Sequence, residues 1–195
     1  MKTHMPAFVL ILLMTIFTTA NAAPPGVPAQ ADTPPSVLLK QGIGKLTGFI
    51  RSGNAANEAQ ARAFLRTEIV PYFDFSYMTR WSAGPAWRRM GPEQRARMQE
   101  QLTESFLTTL IQKLTSYTNQ SIRYFTPRGQ GRNDVRVSAW IMQPNGYPTK
   151  LEFRFYRSKD GWKIFDVKAG GNSAVVYYRR QFRDSLRNSR PTGRY

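Results

Sequence analysis

The chain's polar and apolar positions change period twice, and the second change falls between Gly161 and Phe182. From Gly161 onward the residues alternate, which predicts a strand with Trp162, Ile164 and Asp166 on one face and Lys163, Phe165 and Val167 on the other. Large apolar groups on both faces imply that neither face lies open to water. The alternation stops at Gly170-Gly171, and Asn172-Ser173 can cap a helix that carries Val175, Val176 and Phe182. Three more alternating stretches precede this one. Ser121–Thr126 is short; Asp134–Gln143 sets Val135, Val137, Ala139 and Ile141 against Arg136, Ser138, Trp140 and Met142. Lys150–Arg157 sets Leu151, Phe153 and Phe155 against Glu152, Arg154 and Tyr156. Turn signals at Pro127–Gly131, Pro144-Asn145-Gly146 and Lys159-Asp160-Gly161 separate them, which predicts a four-stranded antiparallel meander.

Before residue 120 the period is helical. Ser36 is placed to cap a first helix with Val37, Leu38, Leu39, Ile43, Leu46, Phe49 and Ile50 on its buried side. Gly42, Gly44 and Gly48 weaken that helix and permit close packing. A second helix runs from about Glu58 to Val70 and ends before Pro71. Asp74 can cap a short helix within the aromatic run Tyr72–Met78, and Trp81, Pro85 and Trp87 extend its apolar surface. The longest helix is expected from Pro92 to Tyr117, with Met98, Leu102, Phe106, Leu110 and Leu114 at i+4 spacing. Helices before and after a meander make an α+β fold with a twisted antiparallel sheet.

Residues 1–22 stand apart from this pattern. Lys2 and His4 precede an uncharged apolar run, Ala7–Phe17, and Ala20-Asn21-Ala22 supplies the small residues of a cleavage site. The expectation is a cleaved signal peptide (1–22), a flexible Pro/Ala-rich leader (23–35), one domain (36–187) and a short polar tail (188–195). Without cysteine, and with its one histidine inside the signal, the exported chain lacks a Ser-His-Asp triad, a Cys nucleophile and His- or Cys-ligated metal sites. Neither a metal nor a cofactor is expected, and the 12 acidic residues show no recognisable catalytic pairing. The formal net charge of +16 points to anionic partners: phospholipid headgroups or an acidic protein surface, with nucleic acid the least suited outside the cytoplasm.

Several short motifs, in this order, resemble the MlaC-type family of periplasmic phospholipid-binding proteins, also known as toluene-tolerance auxiliary components. They are Pro71-Tyr72-Phe73-Asp74-Phe75 with Met78, Gly84 with Trp87-Arg88, and Pro92-Glu93-Gln94-Arg95. Gly161-Trp162-Lys163, Asp166-Val167, Gly171-Asn172-Ser173 and Tyr178-Arg179-Arg180-Gln181-Phe182 follow. The resemblance spans roughly residues 36–187. It implies a sheet and helices arranged as in nuclear-transport-factor or cystatin-like folds, enclosing a cavity for acyl chains. It also implies a shuttle between an outer-membrane lipoprotein complex and an inner-membrane ATP-binding-cassette transporter, maintaining outer-membrane lipid asymmetry. Two departures stand out: the chain ends soon after the YR-x-QF helix, and Ala174-Val175 replaces a larger aliphatic pair.

A carrier of this kind needs no catalytic residue, so the chain is expected not to be an enzyme. At about 0.8 kcal/mol per buried CH₂, two acyl chains approach on the order of 20 kcal/mol of burial, which favours an enclosed cavity over an open groove. Its expected lining is Tyr72, Phe75, Met78, Phe106, Leu110, Leu114, Trp140, Met142, Phe153, Phe155, Phe165, Val167, Val175 and Tyr178. Arg179, Arg183 and Arg187, with Arg190 beyond them, recur near helical spacing and are candidates for meeting headgroups or an acidic partner. A monomer is expected. The alternatives are a carrier of a hopanoid or other amphipathic lipid, a ligand-free basic adaptor, and an enzyme using Asp74 or Asp166 with a tyrosine.

Overall fold

Strand pairing follows the alternating stretches closely. The computed structural model describes residues 33–117, 119–131, 133–144 and 146–188; the expected signal peptide, the part of the expected leader before residue 33 and the expected tail from residue 189 lie outside them, as does Asn145 of one expected turn. Strands β1 (Ile122–Tyr124), β3 (Asp134–Ile141), β4 (Thr149–Ser158) and β5 (Gly161–Ala169) are the four expected, and they pair antiparallel in that spatial order. Two short strands join them. β2 (Arg128–Gly131) pairs with β3 where only a turn was expected. β6 (Asn172–Ser173) folds back on Lys168-Ala169. That reversal is a two-residue hairpin at Gly170 (φ 56°) and Gly171 (φ 87°), a backbone that only glycine adopts without cost.

β5 does not alternate throughout. Phe153 pairs with Val167 and Arg154 with Asp166, but Phe155 pairs with Ile164, so Phe165 is an extra residue. This bulge leaves Ile164 and Val167 on one face and turns Phe165 and Asp166 to the other, where Phe165 lies under the Arg154 guanidinium at 4.7 Å. The expected grouping of Phe165 with Val167 is therefore corrected.

The helices are α1 (Pro35–Arg51), α2 (Glu58–Phe64), α3 (Phe75–Ala83), α4 (Pro92–Leu114) and α5 (Ala174–Asn188). Ser36 does not cap α1; Pro34 occupies the N-cap position and Pro35, with its fixed φ, starts the helix. Asn57 caps α2 by accepting from Gln60 N at 3.0 Å. Beyond Phe64 the helix widens into a π-turn, Leu65–Ile69, and tightens into a 3₁₀ turn over Val70–Tyr72. Pro71 has no N–H to continue an α-helical ladder, which gives a reason for the change of pitch. α4 ends at Leu114, short of the expected Tyr117. At its start Arg95 donates to Trp87 O at 2.9 Å, so that arginine braces the preceding turn.

Three apolar clusters hold these pieces. Leu38, Leu39, Tyr72, Val137, Ala139, Phe153, Phe155 and Ile164 join α1 to one face of the sheet. Ala61, Leu65, Ile69, Leu107, Ile111 and Leu114 join α2 and its π-turn to α4. Phe75, Met78, Leu102, Phe165 and Tyr178 join α3, α4 and α5 to the other face of β5. Where β5 lacks a neighbouring strand, the chain before α3 covers it, with Phe73 bridging to Ile164 and Asp74 N donating to Ile164 O at 2.9 Å.

Gly44 and Gly48 sit in α1 with open space where a Cβ would project. Gly44→Ala and Gly48→Ala should each stabilise the domain by about 0.5–1 kcal/mol in urea unfolding, because alanine restricts the unfolded chain without a clash. A loss of stability in both variants would show that α1 needs glycine for another reason.

Candidate functional site

Between α1, α4, the start of α5 and the face of the sheet that carries Val167 lies a cavity of about 860 Å³, toward the upper end of the range for ligand pockets. Its walls follow from the packing just described. From α1 come Leu38, Leu39, Ile43, Leu46 and Ile50; from α4, Phe106, Leu110 and Leu114. The floor is Ile122, Ala139, Ile141, Leu151, Phe153, Ile164 and Val167 of the sheet. Tyr72 and Phe73 close one side, and Ala174 and Tyr178 of α5 another. Ile43, Leu46, Ile50, Phe106 and Leu110 are only half-buried, and they line this space.

Several polar lining residues gather at one end. Pairing of Ile122 with Ile141, Ile141 with Thr149 and Leu151 with Ala169 brings the start of β1, the end of β3, the start of β4 and the end of β5 into one row. Gln120, Gln143, Thr149 and Asn172 lie there, and Lys113 and Ser116 reach it from the end of α4. Tyr117 ties α4 to this row by donating to Gln120 O at 2.6 Å. The cavity thus has an apolar interior and a hydrogen-bonding mouth.

The α5 wall is fixed by Asp166, which is 2% exposed. Its carboxylate accepts from Ser173 Oγ at 2.8 Å and from Val175 N at 3.2 Å, joining β5 to the first turn of α5. Ser173 Oγ in turn accepts from Val176 N at 3.2 Å, so it caps the helix as well as pairing in β6. Asp74 caps α3 by accepting from Tyr77 N at 2.8 Å, and it also accepts from the Tyr156 hydroxyl. Burial, with that bond second, raises the Tyr156 pKa well above the usual phenol range. Lys163 Nζ donates to Pro71 O at 2.7 Å and completes the clamp on residues 71–74. Both aspartates considered for catalysis are thereby occupied in structural bonds.

Of the fourteen residues expected in the lining, the structure brings Tyr72, Phe106, Leu110, Leu114, Phe153, Val167 and Tyr178 together around the cavity. The other seven lie elsewhere. Trp140 projects from the opposite face of β3 against Phe125, with ring centroids 4.6 Å apart, and Met142, just past the end of β3, is exposed. Ala139 and Ile141 face the cavity instead, since the strand offers it one face only. Phe165 is turned away by the bulge and packs with Phe75 and Met78 in the α3–α5 cluster. Phe155 is fully buried in the cluster with Leu38, Leu39 and Ile164 and is not among the lining residues. Val175 is buried next to the Asp166 anchor.

Sequence reasoning missed the α1 wall, Ile69, the sheet positions Ile122, Ile141, Leu151 and Ile164, and Lys113 at the mouth. The signal for α1 was present as its apolar stripe, which was read as core. Arg179 donates to Trp81 O at 2.7 Å and so ties α5 to α3, whereas Arg183 is exposed. Arg187 lies on α5, but its side chain is outside the described residues.

Comparison with known proteins gives three findings. The family model described as "MlaC protein" matches residues 41–193. No curated protein matches the chain. Among solved structures the fold is similar to a phospholipid-binding protein from Ralstonia solanacearum determined in complex with a phospholipid. The identity is 26% and the TM-score 0.71, over 78% of this chain and 88% of that one.

Proposed function

The chain belongs to the MlaC protein family, and from that membership and the cavity we propose that it is a soluble periplasmic phospholipid carrier. In this reading one domain, 36–187, follows a cleaved signal peptide and leader and carries lipid between an outer-membrane lipoprotein complex and an inner-membrane ATP-binding-cassette transporter. The observation that carries the reading is the cavity: a mostly apolar space of about 860 Å³ with a group of polar side chains, Lys113, Ser116, Gln143, Thr149 and Asn172 among them, in its lining. Such a shape suits an amphipathic molecule held by its chains with its headgroup in water. The phospholipid in the similar Ralstonia structure supports the choice of ligand.

Release into water is opposed by the full burial energy of the chains, so transfer proceeds through docking to a partner with its own apolar path. The exposed side of α5 is the proposed docking surface. Val176 and Tyr177 are 42% and 55% exposed there, beside Arg180 and Arg183, and Tyr177 also reaches the cavity lining. This face suits an acidic partner surface. Arg179 contributes by holding α5 to α3.

Organic extraction of the protein purified from the periplasm of its host, followed by mass spectrometry, tests the reading. Two-chain phospholipid at up to one molecule per chain is the expected result. A polycyclic lipid would make it a hopanoid-type carrier, an empty extract would favour the basic adaptor, and hydrolysed lipid would point to an enzyme.

A further inference from the structure

Of the described residues lining the cavity, one is charged. Lys113 sits in the last turn of α4, is exposed at the mouth, and shares the lining with no carboxylate among the described residues. It forms no ion pair with a described residue. Two other described lysines differ in this respect: Lys45 is paired with Glu68 and Lys168 with Glu152. Around Lys113 the mouth offers neutral hydrogen-bonding groups: Ser116, Gln143, Thr149 and Asn172. Gln143 Nε2 already donates to Thr149 Oγ1 at 3.3 Å, which steadies one side of this ring.

We propose that Lys113 is the specificity-determining residue of the cavity, its ammonium holding the phosphate of a phospholipid whose chains fill the space behind. This rests on the carrier reading above and adds to it a rule for which lipids are accepted. A phosphodiester keeps its charge at any physiological pH and stays out of the hydrocarbon interior, so it comes to rest at the mouth. Lysine suits that position because its four-carbon stem can lie along the apolar wall beside Leu110 and Leu114 while its head stays in water. The N⁺–H···O⁻ contact is charge-assisted, while the open mouth leaves it partly screened. The resulting preference is for a lipid with a phosphate over one with the same chains and a bare hydroxyl.

The purified full domain is incubated with vesicles holding equal amounts of dioleoylphosphatidylglycerol and dioleoylglycerol, and the bound lipids are counted by mass spectrometry. Wild type should favour the phospholipid. Lys113→Gln should lower the ratio of phospholipid to diacylglycerol by about three- to tenfold with diacylglycerol loading unchanged, and Lys113→Arg should retain the wild-type ratio. An unchanged ratio in Lys113→Gln overturns the proposal. So does an equal loss of both lipids, since a lysine that merely complements the α4 C-terminus would lower stability and affect the two alike. Inorganic phosphate at millimolar concentration should leave phospholipid binding intact. Competition by phosphate that Lys113→Gln abolishes would indicate a free-anion site and overturn the lipid assignment. A wild-type protein that loads neither lipid would instead overturn the carrier reading itself.

Discussion

Asp166→Ala is expected to destabilise the domain by about 3 kcal/mol, lowering Tm by roughly 6–12 °C for a domain of this size. The carboxylate is 2% exposed and accepts from Ser173 Oγ and Val175 N. Its removal leaves a buried N–H unpaired, a hydroxyl without its partner, and the first turn of α5 without an anion. Asp166→Asn keeps one acceptor oxygen and should lose less than half as much. The effect should extend to the cavity, because Ser173 and Ala174 belong to its lining. Thermal and urea unfolding of both variants measure this, and a cost below about 0.5 kcal/mol for the alanine variant would remove Asp166 from its role as anchor.

Filling the cavity should separate lipid loading from folding. Gly42 lies opposite Tyr72, where an added Cβ would rest 3.8 Å from the ring in ordinary contact. Val167 faces the same space from β5. In Gly42→Leu/Val167→Phe the new side chains occupy room that ligand would otherwise take. At about 0.8 kcal/mol per methylene, excluding roughly six methylenes costs about 5 kcal/mol, more than a thousandfold in affinity. Extracted phospholipid should fall below a tenth of the wild-type amount, with stability unchanged or higher since α1 loses a glycine. Met142→Trp, which adds bulk on the exposed face, should load like wild type. Equal loading of all three would mean that lipid is held elsewhere.

The elements themselves were legible because their periods are clean. Four strands and the boundaries near Glu58, Pro71, Asp74 and Pro92 follow from alternation, capping groups and proline. The caps at Asp74 and Ser173 are read directly from residue type. What periodicity does not carry is phase across an irregularity. One extra residue at Phe165 moved it and Asp166 to the far face, and no local composition marks that bulge. Size also misled the choice of lining. Phe75, Met78, Phe155 and Phe165 are large, and large side chains fill space; the cavity exists where Ala139, Gly42 and Val167 leave it. An apolar stripe, as on α1, reads the same whether it meets protein or a void.

Phe73 carries a consequence for cooperativity. A void of about 860 Å³ lies among the three apolar clusters, two of which share α4. Small separate cores have little reason to melt together. Phe73 is the one described residue packed against all three, with its ring 5.0 Å from Phe106 and 5.5 Å from Phe75, and its backbone bridged to β5. Together with α4, which carries residues of two clusters, it gives a route by which loosening of one cluster reaches the others. One aromatic ring, fastened to the sheet and packed against all three clusters, favours unfolding of the domain as a single unit despite the large space at its centre.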